Sequence, residues 1–445
     1  MKKRMFLLLL TASLFSINAV NAQTAQPYEM TVSGVKVIVQ PSGNDIVEIQ
    51  TIIKGGVQNY PAAKAGIESL AMTGLTECGT MQQDKNSFKN KLEKLGAQVG
   101  AGAGKDYSII RMNCIKGDFE GSWKLYVEAL TMPQYDEKEF ARIKQNALTS
   151  LKRMESIPDI AIDNFANKVA FEGRDYAVNP SGTIETVTAL TAADVKAYYQ
   201  GILTKSRMFI VVVADLDRAD IEGKVKAMLS GIKQGAPFTL KKSFFRPYKS
   251  TFSADSRELA TNYIEGVTSG PQTNEPDFDA FNIAMRIFYD RHFLDVRTNN
   301  GLSYAPQTRF AVGATSVAKV NVSTTEPNKY IAVFDKLVDK TKSGGFTEDE
   351  VKNMKATYLT GVYYRNETNS AQAGALASNE VLFNDWKRTN NLVDHIKKLT
   401  PTQISDAFRK YIGNMVWVYQ GDTKKVTPTL FTNGTLHKAD NPVMQ

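Results

Sequence analysis

The sequence predicts an α+β fold built from two homologous halves, and three observations support this prediction. Segments with the apolar pattern of strands, "VKVIVQ" and "VEIQTIIKGG", precede a long helical region. Another strand-like segment, "DYSIIRMNCI", is followed by further helices and a last strand, and the same order of pieces then occurs a second time. Strands interleaved with long helices favour a mainly antiparallel sheet with helices packed on one face in each half. We expect the halves to face each other as a clam shell.

The repeat is visible in two pairs of segments at nearly the same spacing. "YDEKEFARIKQNALTSLKRM" resembles "FTEDEVKNMKATYLTGVYYR", and the lysines in these segments, Lys144 and Lys355, are 211 residues apart. Residues 190–217 are echoed by residues 399–425, each with the pattern of a capped amphipathic helix that leads into a strand. Two independent matches indicate an internal duplication.

These patterns divide the chain into five parts. Residues 1–22 are predicted to be an export signal and residues 23–230 the first half. A connection rich in Lys, Ser, Pro and Phe follows at 231–257, with the second half at 258–428 and an irregular tail at 429–445.

The start of the chain has the pattern of a secretory signal. Lys2, Lys3 and Arg4 precede an apolar stretch, and small residues lead to Ala22, after which cleavage is expected. The apolar stretch is too short for a permanent membrane helix, and no later segment approaches twenty uninterrupted apolar residues. We therefore expect an exported protein without stable membrane insertion, most simply a periplasmic one, although an extracellular location fits as well.

Charge and cysteine content limit the function classes. The net charge is +8, and removing the three basic residues of the signal leaves +5, with lysines and arginines scattered among acids. This pattern is typical of solvated helix faces and argues against a nucleic-acid surface. Cys78 and Cys114 are the only cysteines, and without a C-x-x-C motif or a nearby histidine they argue against a structural zinc site. An oxidising compartment permits a disulfide between them, but their spacing leaves open whether one forms.

Several motifs, taken in order, resemble one peptidase family. "GIESLAMTGLTECGT" (66–80) is an apolar helix that ends on Gly-Thr, and "LEKLGAQVGA", "TMPQYDEKEF", "ALTAADVKAYY" and "VRTNNGLSY" follow it. Their order and spacing resemble the pitrilysin-like inverzincin metallopeptidases over nearly the whole mature chain. The similarity is to the short-chain branch, which includes mitochondrial processing peptidase and bacterial heterodimeric peptidases.

The resemblance implies a zinc site whose ligands are absent. An active member of the family binds zinc through two histidines of H-x-x-E-H and a later glutamate. The motif positions fall, in the two registers that the helix allows, on Ser69, Met72 and Thr73, or on Leu70, Thr73 and Gly74. The later glutamate would fall near Thr149 or Ser150. Hydroxyl and thioether groups do not replace two imidazoles and a carboxylate around zinc, so we predict no metal in this chain.

Histidine content supports this interpretation. The only histidines are His292, His395 and His437, so the first 291 residues contain none. An N-terminal histidine-based metal site is excluded, and no histidine lies in a recognisable hydrolase motif. The helix at 66–80 instead has apolar or small residues at helical spacing, which indicate a core stripe: Ile67, Leu70, Ala71, Gly74 and Leu75.

The second half retains a different family motif. Members that cut peptides use an arginine and a tyrosine in an R-x-x-x-G-L-x-Y arrangement, and "RTNNGLSY" matches it at Arg297, Gly301, Leu302 and Tyr304. The resemblance implies that Arg297 donates to substrate carbonyls and that Tyr304 donates to the oxyanion of the reaction. The competing interpretation is an ordinary solvated helix arginine and a half-buried strand tyrosine.

Two functions fit these features. In the first, the chain is the zinc-less subunit of an exported heterodimeric peptidase, inactive alone, and its Arg297 and Tyr304 complete the active site of a homologue with an intact H-x-x-E-H and bound zinc. In the second, it is a scaffold or peptide-binding protein with no role in hydrolysis. A peptidase with an unrecognised site is a third alternative. Residues 284–293 contain no glycine, unlike the glycine-rich loop of related non-catalytic subunits.

Overall fold

The computed structural model describes residues 26–433, so the predicted export signal, the end of the tail and His437 lie outside the described residues. The strands are β1 (Tyr28–Val32), β2 (Val35–Pro41), β3 (Ile46–Lys54), β4 (Gln98–Ala103), β5 (Tyr107–Ile115), β6 (Met208–Ala214), β7 (Thr251–Ser256), β8 (Asn262–Ser269), β9 (Gln307–Ala311), β10 (Val317–Thr324) and β11 (Val416–Gly421). The helices of the first half are α1 (Ile67–Glu77), α2 (Lys85–Lys94), α3 (Phe119–Thr131), α4 (Glu137–Ser156), α5 (Pro158–Ala170), α6 (Ile184–Ala189), α7 (Ala192–Ile202) and α8 (Arg218–Leu229). Those of the second half are α9 (Phe278–Phe293), α10 (Pro327–Gly344), α11 (Glu348–Tyr364), α12 (Asn369–Phe383), α13 (Arg388–Lys398), α14 (Pro401–Tyr411) and α15 (Pro428–Thr432).

The two sheets have the same topology. The first has the order β1-β2-β6-β3-β5-β4 and the second the order β7-β11-β8-β10-β9, so the second repeats the first without β1. In each sheet one pair is parallel, β2 with β6 and β7 with β11, and the other neighbours are antiparallel. The predicted α+β fold with two homologous halves is confirmed.

The lysine pair that revealed the repeat makes the same contacts in both halves. Lys144 Nζ donates to the carbonyl oxygens of Thr188 and Leu190 at 2.7 and 2.8 Å. Lys355 Nζ donates to those of Lys397 and Leu399 at 2.7 and 2.8 Å. Each lysine therefore satisfies carbonyls that α6 or α13 leaves unpaired at its C-terminal end.

One helix of each half packs on the sheet of the other half. Helix α5 contacts β8 and β11, and α12 contacts β3 and β6. Each sheet therefore has helices of its own half on one face, as predicted, and an exchanged helix on the other face. Strand β6 shows the consequence, because all seven of its residues are buried and alternate between two apolar clusters.

The boundaries of two predicted parts differ from the structure. Strand β7 lies inside the segment assigned to the connection between the halves, so the extended connection is 231–250. The sequence missed β7 because "TFSADS" is polar and only half-buried, as befits the edge of a sheet. The segment assigned to an irregular tail begins within the short helix α15, whose Phe431 is buried against Trp417 and Phe252.

Cys78 and Cys114 are both buried and not bonded to each other. They pack as small apolar residues in the core of the first half. No helix between residues 26 and 433 is long and apolar enough to cross a membrane.

Candidate functional site

Helix α1, where the family's zinc motif lies, contributes mainly to the core. The predicted stripe is confirmed, because Ile67, Leu70, Ala71 and Leu75 are at most 4% exposed and Gly74 is also buried. A side chain at Gly74 would collide with the ring of Tyr135, whose hydroxyl donates to the carbonyl oxygen of Ala71 at 2.9 Å. The helix is therefore held against the start of α4 by close packing.

The motif positions on α1 do not fit a zinc ion. Ser69 and Thr73 are partly exposed and lie one turn apart, but the Thr73 hydroxyl already donates to the carbonyl oxygen of Ser69 at 2.9 Å. Met72 is fully buried. Within residues 26–433 no group of three or more His, Cys, Asp or Glu side chains has the arrangement of a metal site. No step of a reaction is therefore assigned to a metal held by these residues.

A buried carboxyl group on α1 was missed by the sequence analysis. Glu68 is fully buried and accepts hydrogen bonds from Asn59 Nδ2, at 3.1 Å, and from the hydroxyls of Ser108 and Tyr198. Burial raises the pKa of Glu68 because the charged form loses its hydration, and these hydrogen bonds oppose the rise. The sequence signal was a charged residue inside an apolar helical stripe. Through the hydrogen bonds that Glu68 accepts from neutral donors, α1 is connected to β5 and α7.

The two described histidines have structural partners. His292 is fully buried between the hydroxyls of Thr308 and Tyr330, at 3.0 and 3.2 Å, and burial lowers its pKa to about 3. His395 is bonded through Nδ1 to Asp279 at 2.7 Å. Neither contacts a serine or cysteine in the arrangement of a hydrolase nucleophile and its base.

Arg297 and Tyr304 lie in the segment that joins α9 to β9. Directly after α9 the chain continues as a π-helix over Leu294–Asn299, a form often found at functional sites. The chain then reverses at Gly301, whose φ of 60° suits glycine. Val296 and Leu302 are buried, and the Leu302 N–H donates to the Val296 carbonyl at 2.9 Å. These anchors leave Arg297 and Tyr304 on the outer side.

The structure brings the predicted pair together. Arg297 Cζ lies 4.1 Å from the centre of the Tyr304 ring and 5.0 Å from that of the Phe293 ring, which is cation–π geometry. Tyr304 is 78% exposed and lies outside any strand, so it is not a half-buried strand residue. No hydrogen bond or ion pair joins either side chain to another residue in the described part of the chain. Guanidinium and phenol therefore remain free to donate to a ligand.

Part of the chain matches a known protein family. Residues 189–358 match the family described as the peptidase M16 inactive domain. This part of the chain is thus similar to the M16, or pitrilysin-like, peptidases. The resemblance proposed from the sequence motifs is thus confirmed, and the matching domain is of the inactive type.

Solved structures share the fold at low sequence identity. A peptidase M16 inactive domain from Pseudomonas fluorescens is 20% identical with a TM-score of 0.82, covering 91% of this chain and 100% of that one. A protease from Helicobacter pylori is 15% identical with a TM-score of 0.79, covering 89% and 99%.

A third structural relative is longer than this chain. The periplasmic protease PqqL from Escherichia coli is 13% identical with a TM-score of 0.78, and the match covers 95% of this chain and 49% of PqqL. This chain thus spans about half the length of PqqL. No curated protein matches the sequence.

Proposed function

We propose that this chain is the zinc-less subunit of an exported heterodimeric M16 peptidase. Its Arg297 and Tyr304 complete the active site of a homologous subunit that carries zinc on an intact H-x-x-E-H. The observation that supports the proposal is the pair of half-buried Arg297 and exposed Tyr304, which has no polar partner within residues 26–433 although its backbone is firmly anchored. A pair held outward in this way is suited to a ligand that comes from outside the chain.

The chemistry of the pair fits peptide hydrolysis. A guanidinium donates through a rigid fork, so Arg297 can hold main-chain carbonyl oxygens of an extended peptide. The Tyr304 phenol can donate one hydrogen bond to the oxyanion that forms when a peptide carbonyl is attacked in the partner's active site. The stacked arrangement restricts both side chains before substrate binds, which reduces the entropy lost in the complex. The substrates are therefore peptides.

Two further features support export of the chain and its dependence on a zinc-bearing partner. Residues 1–22 have the pattern of an export signal, and the relative PqqL is described as periplasmic. The α1 positions in this chain do not fit zinc, so catalysis requires a metal-bearing partner. On this proposal the chain alone holds no stoichiometric zinc and cuts no peptide.

Mixing variants with the zinc-bearing homologue tests the proposal. Tyr304→Phe removes only the phenolic donor and should lower kcat about 10²-fold, the usual loss for one oxyanion donor, with little change in complex formation. Arg297→Ala should lower kcat and raise KM, because the guanidinium contacts both ground state and transition state. Peptide hydrolysis and the stability of the complex are the measurements.

Tyr248→Phe is the matched control, since Tyr248 is 83% exposed and has Lys249 over its ring at 5.6 Å, yet lies in the connection between the halves. It should leave hydrolysis unchanged. Unaltered rates for Tyr304→Phe and Arg297→Ala with an intact complex would reject the proposal. The inactive M16 domain would then be a scaffold or peptide-binding protein.

A further inference from the structure

A pocket of about 400 Å³ opens between α9, α11 and β9 in the second half. Its walls include Asn282, Arg286 and Tyr289 of α9, Arg309 of β9, and Met354 of α11. The volume is in the range of small ligand sites and suffices for a side chain of a bound peptide. The pocket lies away from the Arg297–Tyr304 pair along the chain, and neither residue lines it.

Arg286 is the cation in this pocket that lacks a counter-ion. Arg309 is paired with Asp163, whereas no carboxylate within residues 26–433 forms an ion pair with Arg286. Its guanidinium lies 4.9 Å from the ring of Tyr358, and its Nε makes one long contact of 3.4 Å with Asn282 Oδ1. Most of its donors therefore remain available for an anion.

The pocket and the Arg297–Tyr304 pair are linked through α9 and the π-helix that follows it. Arg286 lies on α9 and Arg297 lies eleven residues further on, in the π-helix. Aromatic rings fill the space between them, since the rings of Tyr289 and Phe293 are 6.0 Å apart and Arg297 Cζ is 5.0 Å from the ring of Phe293. A continuous surface thus leads from the pocket wall to the Arg297–Tyr304 pair.

We propose that this pocket is a subsite for an acidic side chain of the peptide whose backbone contacts Arg297 and Tyr304. The inference rests on the proposed function and adds a preference for substrates of a defined charge pattern. Eleven helical residues, the last four of them in the wider π-helix, span at most about 16 Å at 1.5 Å per residue. An extended peptide covers that distance in about five residues at about 3.3 Å each. The acidic residue therefore lies about five positions from the residue at Arg297.

Asp290 restricts the charge that the peptide can carry next to the acidic residue. It also lines the pocket, one helical turn from Arg286 toward Arg297, which is about two residues of an extended peptide. A carboxylate near Asp290 meets like charge, whereas a basic or neutral residue does not. The site accordingly selects an acidic residue at one position and rejects it at the neighbouring ones.

Peptide binding to the full mature chain tests this subsite. The probes are short peptides that carry a neutral fluorophore and a single glutamate moved through successive positions, each paired with the glutamine version. Fluorescence anisotropy should show one register in which glutamate binds about tenfold more tightly than glutamine, the usual gain for a charge-assisted hydrogen bond. The gain should shrink as salt is raised.

Three variants assign the effect to the pocket. Arg286→Gln should abolish the preference for glutamate, and Arg286→Lys should keep part of it because the charge remains without the fork. Asp290→Asn should let glutamate bind at the neighbouring positions too. Thermal unfolding checks that each variant stays folded, as expected for side chains on the pocket wall.

Two results would overturn the subsite: no peptide binds in any register, or Arg286→Gln leaves the ratio of the two affinities unchanged. The heterodimer assay of Tyr304→Phe is separate. A normal hydrolysis rate for that variant, together with an Arg286-dependent preference, would reject the completing role and leave the binding site in place.

Discussion

The two sheets of this protein share one topology but present different chemistry to the helix that each receives from the other half. Gln50 of β3 lies opposite Val211 in the first sheet, and Glu265 of β8 lies opposite Val418 in the second. Val211 lies on the last strand of the first half and Val418 on the last strand of the second. Each valine lies four residues before the aspartate that follows its strand. Gln50 and Glu265 therefore occupy equivalent positions.

The same register pairs Ile109 with Lys319. Ile109 lies opposite Ile52, two residues beyond Gln50, and Lys319 lies opposite Val267, two residues beyond Glu265. A neutral pair in the first sheet thus corresponds to an ion pair in the second. The exchanged helices differ accordingly.

Helix α5 supplies polar partners to the second sheet. Lys319 is 4% exposed, and its Nζ donates to Glu265, Asp163 and Asn167 at 2.9, 2.8 and 2.9 Å. These bonds use all three ammonium donors. Burial without them would strongly disfavour the charge.

Helix α12 packs on the central strands of the first sheet through small and apolar side chains, while its Glu380 pairs with Lys36 of β2 at 2.6 Å. Ala373 and Ala377 are fully buried, four residues apart, in a cluster with Ile52 and Phe209. Their small size lets the helix approach the strands closely. The difference teaches that strand register can persist in a duplicated fold while the chemistry of equivalent contacts changes, provided that the exchanged helix changes with the sheet.

The largest expected loss of stability comes from breaking the buried ion pair between Lys319 and Glu265. Lys319→Ile gives the second sheet the type of residue found in the first, but leaves Glu265 and Asp163 buried or half-buried without their shared partner. Breaking one side of a buried pair costs about 3–5 kcal/mol. We expect about 3 kcal/mol, the lower end, because Arg309 still lies 3.8 Å from Glu265. Chemical denaturation measures the free energy of unfolding.

The double variant Lys319→Ile with Glu265→Gln sharpens this comparison. Removing the second charge should recover at least about 1 kcal/mol relative to Lys319→Ile alone, because the carboxylate that remains, Asp163, keeps its ion pair with Arg309. Lys352→Ala is the control, since Lys352 is exposed on α11, and its effect should stay within about 0.5 kcal/mol. A double variant less stable than the single would contradict the proposed role of the ion pair.

A smaller effect is expected at the apolar contact. Ala377→Leu inserts a larger side chain between α12 and the first sheet, and overpacking of this kind costs about 2 kcal/mol. The measurement is the midpoint of thermal unfolding, with Ala141→Leu on the exposed side of α4 as the matched change. An unchanged midpoint would show that α12 does not sit closely on the sheet.

The smallest effect is expected for the lysine contacts that are the same in both halves. Lys144→Met and Lys355→Met each remove two hydrogen bonds to helix carbonyls, so each should cost about 1 kcal/mol. The two losses should agree within about 0.5 kcal/mol and add in the double variant, since the sites are in different halves. A loss of stability for only one of the two variants would show that the same hydrogen-bond geometry contributes different free energies in the two halves.

The sequence by itself determined the features that depend on local pattern and composition. Helical spacing of Ile67, Leu70, Ala71 and Leu75 predicted the buried face of α1, because a buried stripe requires that period. The matched Lys144 and Lys355 predicted the duplication. The absence of histidine before His292 excluded an N-terminal histidine metal site without any structure.

Only the tertiary structure decided which distant elements meet. The exchange of α5 and α12 cannot be predicted from periodicity, since an amphipathic helix has the same pattern whichever sheet it covers. The same limit applies to Lys319, whose partners lie on another strand and another half, and to β7, an edge strand with little apolar signal. For Arg297 and Tyr304 the motif supplied the residues, but their stacking depends on the turn at Gly301 and on buried Val296 and Leu302. Local spacing fixes a side chain's position along its element, whereas its neighbours depend on how the whole chain packs.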